Sequence, residues 1–212
     1  MQPLTDPAPP VPPPTPPPSR ERRNVNVLVV YGSRFGNTQR LAEALTRGLR
    51  SVPGVSVDLL PVTAAVPRDL SKYDLLAVGG PTEIFSATPP MKEFLARLSP
   101  EALRGKRGFA FDTRLDGPFY GSAGKYLEKH LARLGVVMVR PHASGIVRSM
   151  TREEGTLYGT EGAPEWARRF DPGHPPHPSG PVDLLAPGAV GAFERIGAEL
   201  GAQLLGPGPI PA

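Results

Sequence analysis

Short apolar segments alternate with amphipathic segments along most of this chain, and the alternation restricts the possible folds more than any other feature. NVNVLVVYG (24–32), DLLAVGG (74–80) and GFAFD (108–112) are apolar at their centres, which is typical of strands buried on both faces. TQRLAEALTRGLR (38–50) and SAGKYLEKHLARLG (122–135) carry leucines at helical spacing. Strands that alternate with helices form parallel pairs joined by right-handed crossovers.

Four further segments continue the pattern. They are a strand at VSVDLLPV (55–62), a helix at MKEFLARL (91–98), a fifth strand at VVMV (136–139) together with SGIV (144–147), and a last helix at 190–205. The sequence therefore predicts an α/β fold with a doubly wound five-stranded parallel sheet, as the central layer of a three-layer α/β/α sandwich.

The two ends of the predicted domain differ in composition. Proline dominates residues 8–18, and proline lacks the backbone N–H that regular structure requires. Residues 1–23 therefore predict a disordered tail that samples polyproline II, either as a spacer or as a ligand for an aromatic-lined groove. We expect residues 24–206 to form one domain, with residues 148–186 as a long irregular insertion before the last helix.

Composition excludes several classes of function. The chain has no cysteine, so disulfides and thiolate chemistry are absent. Its net charge of +4 comes from dispersed charges of both signs, which is not the pattern of a nucleic-acid surface. We find no apolar run long enough to cross a membrane, no signal-peptide pattern and no cluster of metal ligands, and we expect a cytoplasmic protein.

The segment GSRFGNT (32–38) is the strongest candidate binding site, because ligands of open parallel sheets bind beyond the carboxyl ends of the strands. It follows the first strand and opens a helix, whose free N–H groups and dipole favour an anion. Ser33, Asn37 and Thr38 add side-chain donors. The segment lacks the G-x-G-x-x-G fingerprint and the Walker lysine. It predicts a site for a phosphate monoester, with a simple capped turn as the alternative.

The segments on this edge resemble the flavodoxin family. SRFGNT (33–38) is similar to the phosphate-loop pattern hydroxyl-x-x-G-x-T, with Phe35 where a threonine is usual, and DLLAVGGPTEIFSATPP (74–90) resembles the third strand and its loop. Residues 108–139 resemble the fourth strand, flavin-side loop, helix and fifth strand. A bacterial subgroup carries similar GGPT and FDTR loops. The resemblance spans roughly residues 25–147 and implies the strand order 2-1-3-4-5 and the cofactor FMN.

The resemblance also implies which residues contact FMN, and none of them is expected to be catalytic. The phosphate would be held by Ser33, Arg34, Phe35, Gly36, Asn37 and Thr38; one side of the isoalloxazine would be lined by Pro81, Thr82, Glu83 and Ile84, and the other by Asp112, Thr113, Arg114 and Tyr120. Tyr120 is the favoured aromatic contact of the ring, and core packing is the alternative role for Tyr120 and its neighbour Phe119. Phe85 follows directly after Ile84. Asp112 either orients a loop or faces the ring.

The implied function is electron transfer by an FMN-binding flavodoxin-like protein. A partner reductase would reduce it, and an acceptor protein or a small quinone-like molecule would receive the electrons. Two alternatives stay open: a flavin-dependent NAD(P)H or quinone oxidoreductase with a pocket built by residues 148–186, and a flavin-free interaction module. Electron-shuttle flavodoxins are generally acidic whereas this chain is basic, so we expect bound FMN to be easier to reduce than in an acidic flavodoxin.

Overall fold

The computed structural model describes residues 24–65, 70–83, 85–149 and 183–206. The predicted tail, Ile84 and residues 150–182 of the predicted insertion lie outside these ranges. The strands are β1 (Val25–Tyr31), β2 (Val55–Pro61), β3 (Leu75–Glu83), β4 (Ser86–Ala87), β5 (Arg107–Leu115), β6 (Val137–Met138) and β7 (Ala143–Val147). The helices are α1 (Asn37–Arg50), α2 (Pro89–Ala96), α3 (Pro100–Leu103), α4 (Ala123–Arg133) and α5 (Ala189–Leu205), with single 3-10 turns at Leu70–Lys72 and Pro118–Tyr120.

The sheet has the order β2-β1-β3-β5-β6, and every neighbouring pair along this path is parallel. β7 also runs parallel to β5, beyond the end of β6, so β6 and β7 are two parts of one interrupted strand position. β4 is a two-residue strand that folds back antiparallel onto the end of β3. The predicted doubly wound five-stranded fold is therefore confirmed, and β4 is an addition that the sequence pattern did not indicate.

Two apolar layers enclose the sheet. Side chains of β5 alternate between them, since Phe109 and Phe111 pack with α1 and α5, whereas Ala110 faces α2 and α4. The Phe111 ring meets Phe193 of α5 edge-on, with centroids 5.8 Å apart. It also needs Gly79 in β3, because a Cβ at that position would lie 2.1 Å from the ring. Glycine in this central strand thus makes room for the largest buried side chains.

Helix α1 is held firmly against α5. Leu41, Leu45 and Leu49 of α1 are fully buried, as the helical spacing predicted. Gly48 lets the two helices approach closely, because a Cβ there would lie 1.9 Å from the carbonyl oxygen of Glu194. This packing fixes the amino end of α1 at the carboxyl edge of the sheet.

β3 continues three residues beyond the predicted end at residue 80 and includes Pro81. Proline is usually excluded from central strands because it cannot donate to the ladder. The carbonyl of Gly79 accepts from Gly32, just after the end of β1. Pro81 is two residues further on, so its backbone nitrogen points to the same side of β3 as the Gly79 carbonyl. On that side β1 has already ended. The missing N–H therefore removes no ladder bond, while Pro81 remains paired in register with Thr113 of β5.

Candidate functional site

The ends of β1, β3 and β5 meet at one edge of the sheet, and the predicted site residues of the described ranges lie there. Contacts across the edge join the three segments: Thr38 contacts Thr113, Thr82 contacts Asp112, and the backbone of Phe85 pairs with Gly121. Ile84 is outside the described residues, so its predicted contact with a flavin ring stays a prediction.

The turn into α1 leaves its first amides available. Gly36 precedes the helix with φ 82°, a left-handed conformation that glycine adopts without penalty. The first helical bond runs from the N–H of Arg40 to the Gly36 carbonyl, 2.9 Å away. The N–H groups of residues 37–39 therefore have no intrahelical acceptor, and among the described residues no side chain caps this end of the helix. Such a helix end favours an anion.

Two of the predicted side-chain donors are buried and already hydrogen-bonded. The Thr38 hydroxyl lies 2.8 Å from the Thr113 hydroxyl. The Asn37 side-chain oxygen accepts from the backbone N–H of Leu184 at 3.0 Å, so only its NH2 group remains as a donor toward a ligand. Ser33 is exposed at the start of the turn. The loop thus presents one exposed hydroxyl, beside two side chains that also hold neighbouring segments in place.

Arg34 and Phe35 form the outer surface of the same turn. The Arg34 guanidinium lies over the Phe35 ring, 5.1 Å from its centroid, in a cation–π contact. Both side chains are half-buried. The Phe35 ring therefore holds the positive charge of Arg34 beside the first amides of α1.

Asp112 is a fully buried carboxylate that organises the amino end of α4. Its Oδ2 atom accepts hydrogen bonds from the Ser122 hydroxyl at 2.7 Å, the Gly124 N–H at 2.8 Å and the Thr82 hydroxyl at 3.1 Å. Thr82 in turn accepts from the N–H of Ala123. A negative charge is favourable at this end of a helix. The side chain of Asp112 thus orients a helix start and is not exposed toward a ligand.

Arg114 ties the last residues of β5 to the loop that follows. Its guanidinium donates to the carbonyls of Leu115 and Gly117 and to the hydroxyl of Ser144 in β7, each at 3.3 Å. Asp112, Thr113 and Arg114 therefore connect the end of β5 to three different neighbours, which are α4, α1 and the 115–117 loop.

Aromatic side chains are exposed where the loop after β3 touches the loop after β5. Phe85 pairs with Gly121 through a parallel bridge, and Phe85 has φ 64°, the only positive φ of a non-glycine residue in the described ranges. Phe85, Phe119 and Tyr120 are 65%, 82% and 49% exposed. Exposed aromatic side chains on loops at this edge of the sheet are candidates for contact with a ligand.

The residues on both sides of the 150–182 stretch lie beside the α1 turn. The N–H of Arg148 donates to the Leu184 carbonyl, and the N–H of Ala186 donates to the Ile146 carbonyl. Asp183 forms an ion pair with Arg40 of α1. The hydrogen bond from Arg40 holds the pKa of Asp183 below its ordinary value, and the Leu185 N–H and the charge of Arg148 act in the same direction. The sequence did not single out Asp183 or Leu184, because neither belongs to a recognisable pattern.

Within the described residues, no helix has both the length and the apolar character that a bilayer crossing needs. The same residues contain no group of three or more metal-ligating side chains. The first amides of α1 and the exposed aromatic side chains are therefore the groups at this edge that could contact a ligand.

Comparison with known proteins identifies the family. The family model described as flavodoxin matches residues 29–157, which is more than half of the 212 residues. The chain belongs to the flavodoxin family. The matched range includes the α1 turn, the end of β3 and the end of β5, so all three segments of the candidate site lie inside it. Membership of the subgroup with GGPT and FDTR loops stays a prediction.

Known relatives match this flavodoxin over part of its length. It is 43% identical over 68 residues to a flavodoxin of Aquifex aeolicus (strain VF5), covering 32% of this chain and 37% of that one. It is 36% identical over 91 residues to an NAD(P)H dehydrogenase (quinone) of Acidithiobacillus ferrooxidans (strain ATCC 53993 / BNL-5-31), covering 34% and 46%. The matches thus span less than half of either relative.

Solved structures show the same fold. A flavodoxin from the domain Archaea has a TM-score of 0.58 at 19% identity, covering 85% of this chain and 99% of that one. The flavodoxin, WrbA-like protein from Agrobacterium tumefaciens has a TM-score of 0.55 at 15% identity, covering 85% and 97%. At these identities the likeness shows the architecture alone.

Proposed function

We propose that this flavodoxin binds FMN and acts as an electron-transfer protein. The observation that carries the proposal is the uncapped amino end of α1, whose first amides have no intrahelical acceptor and open at the edge where β1, β3 and β5 end. A phosphate monoester matches this donor set, because its oxygens accept from amides and hydroxyls at a helix end without a fixed lysine.

The proposed roles of the side chains follow from their positions. The amides of residues 37–39, the Ser33 hydroxyl and the Thr38 hydroxyl would hold the phosphate, and the charge of Arg34 would favour it. The exposed rings of Phe85 and Tyr120 would cover the isoalloxazine. Pro81, Glu83 and the backbone of residues 112–114 would line its edges. FMN, when bound, would supply one- and two-electron redox chemistry, whereas the protein positions the ring and excludes water.

A partner reductase and an acceptor belong to this proposal. The acceptor would be another protein or a small quinone-like molecule, and the proposed location is the cytoplasm. The basic net charge favours acidic partners, because opposite charges attract. This complementarity accelerates association more than it strengthens the final complex.

An NAD(P)H or quinone oxidoreductase is the second candidate. It is favoured by two related proteins, one from Acidithiobacillus ferrooxidans and one from Chromohalobacter salexigens, that are named NAD(P)H dehydrogenase (quinone). Oxidation of NADPH by the purified protein with FMN and a quinone, and without added reductase, would select this candidate. Reduction only when a reductase is added would select electron transfer.

The test of the proposed function is a fluorescence titration of FMN with the purified protein, together with an absorbance spectrum between about 350 and 500 nm. We expect saturable binding and a perturbed flavin spectrum. Thr38→Val should weaken binding by about 1 to 3 kcal/mol, since it removes a phosphate donor. The control is Thr46→Val, which removes another buried hydroxyl of α1, one without a hydrogen-bond partner in the described part of the chain. A protein that never binds FMN would support the flavin-free interaction module instead.

A further inference from the structure

We infer that Thr113 is a positioning residue that sets the direction of the Thr38 hydroxyl toward a bound phosphate. The inference rests on the proposed function and adds a residue that acts through another residue. It differs from the role that the family resemblance implies for Thr113, which is a contact along the flavin ring.

The inference starts from the pair of buried hydroxyls. Thr38 and Thr113 are 1% and 4% exposed, and their oxygen atoms lie 2.8 Å apart. Each hydroxyl has a single proton and two lone pairs. Within the pair one hydroxyl must donate and the other must accept, and either direction satisfies the geometry. The two states differ in what they leave free at Thr38: its proton and one lone pair when Thr113 donates, and two lone pairs but no proton when Thr38 donates.

A phosphate dianion selects between these states, because its oxygens only accept hydrogen bonds. Thr38 can donate to the phosphate only when Thr113 donates to Thr38. The resulting chain runs from the Thr113 O–H to the Thr38 oxygen, and from the Thr38 O–H to the phosphate oxygen. Consecutive hydrogen bonds of this kind polarise and strengthen each other. Without the Thr113 proton, the Thr38 hydroxyl would donate to the phosphate without this polarisation, and its hydrogen bond would be weaker.

The fold brings the two hydroxyls together through a glycine on the neighbouring strand. Gly145 of β7 is the register partner of Thr113. A Cβ at Gly145 would lie 2.2 Å from the Cδ1 atom of Leu41, which is one helical turn after Thr38. The absent side chain lets the first turns of α1 lie close to β5 and β7. The contact between the hydroxyls is thus part of how α1 is seated on the sheet.

The experiment compares FMN with riboflavin, which has the same ring and no phosphate. We expect Thr113→Val to raise the Kd of FMN about tenfold, the equivalent of about 1.4 kcal/mol, and to leave the Kd of riboflavin unchanged. Thr113→Ser keeps the hydroxyl and should restore the affinity for FMN. Thr46→Val is the matched control and should change neither Kd. In a Thr38→Val background, Thr113→Val should have no further effect on FMN binding, because the partner through which it acts is gone.

Several results would overturn the inference. An unchanged Kd of FMN in Thr113→Val would show that the hydroxyl does not act on the phosphate. An equal loss for FMN and riboflavin would show a merely structural role, and so would additive effects of the Thr38 and Thr113 substitutions. Thermal melting checks that each variant folds, and Thr113→Ala replaces Thr113→Val if the latter does not. A wild-type protein that binds both flavins equally would overturn this inference and leave ring binding intact, whereas binding of neither flavin would overturn the proposed function as well.

Discussion

Phe85, after β3, and Gly121, after β5, are joined by a backbone bridge. Both residues have a positive φ, 64° and 68°. The contact is so close that a Cβ at Gly121 would lie 2.5 Å from the Cα atom of Phe85. The loop after β3 and the loop after β5 are therefore one connected surface, and a change in either residue affects both.

Gly121→Ala should separate these loops. Gly105 is the matched control, because it also has a positive φ, 77°, but has nothing within 4 Å of an added Cβ. We expect Gly105→Ala to lose about 1 kcal/mol from the backbone conformation alone. Gly121→Ala should lose at least about 1 kcal/mol more, because the clash is with backbone and because the φ of 68° and ψ of −169° of Gly121 are nearly restricted to glycine. Urea denaturation of both variants measures this, and equal losses would show that the bridge does not constrain the loops.

Phe85→Asn should stabilise the protein without ligand and weaken its binding of FMN. A positive φ is unfavourable for phenylalanine and tolerated by asparagine, so we expect a gain of about 0.5 to 1 kcal/mol in unfolding free energy. The lost ring should raise the Kd of FMN and of riboflavin alike. Phe119→Asn is the control for loss of an exposed aromatic with ordinary backbone. A Phe85→Asn variant that keeps full flavin affinity would remove Phe85 from the proposed ring site.

Asp112→Asn should destabilise the protein although it preserves the shape of the side chain. The amide oxygen would replace the Oδ2 atom, which accepts three hydrogen bonds, and the new NH2 group would lie at Oδ1, which is buried and has no partner among the residues that the structure describes. We expect a loss of about 2 to 3 kcal/mol in unfolding free energy. Asp74→Asn is the control, since exposed Asp74 accepts from the N–H of Asn26 at a similar distance. A loss no larger than that of the control would contradict the role given to Asp112.

Asp183→Asn should change the dependence of stability on pH. The pKa of Asp183 is lower in the folded protein than in the unfolded chain, chiefly because of Arg40. Its contribution is therefore present above the unfolded pKa and is lost as the pH falls through the folded pKa. We expect a difference of less than about 1 kcal/mol from the wild type at pH 7, since the pair is exposed, and this difference should shrink as the pH falls through the folded pKa. A difference that persists at acid pH would exclude the ion pair as its cause.

The sequence predicted the layers because these depend on repeated apolar patterns, whereas the strand order was implied by the resemblance to the flavodoxin family. Each main strand carries its own signal, and so do helices α1, α4 and α5. The two-residue strand β4 and the positive φ of Phe85 had no such signal, since β4 is very short and Phe85 is placed by its bridge to Gly121. The extension of β3 through Pro81 was missed for a different reason. It depends on where β1 ends, which a local pattern does not contain.

The candidate site was predictable as a set of loops and not as a set of side-chain roles. The turn at residues 33–38 could be found because glycine and hydroxyl residues follow a buried strand and open a helix. The partners of Asn37, Thr38 and Asp112 depend on contacts over long separations in sequence, such as the 75 residues between Thr38 and Thr113. No spacing rule predicts such pairs. The expected ease of reducing bound FMN likewise stays a prediction.

The most direct test of the central claim is a crystal structure of the protein with FMN. The account predicts that the phosphate lies within hydrogen-bond distance of the first amides of α1 and of the Thr38 hydroxyl, with the ring against the surface formed by Phe85 and Tyr120. Crystals grown with excess FMN that show only solvent at the amino end of α1, or a flavin bound elsewhere, would contradict it.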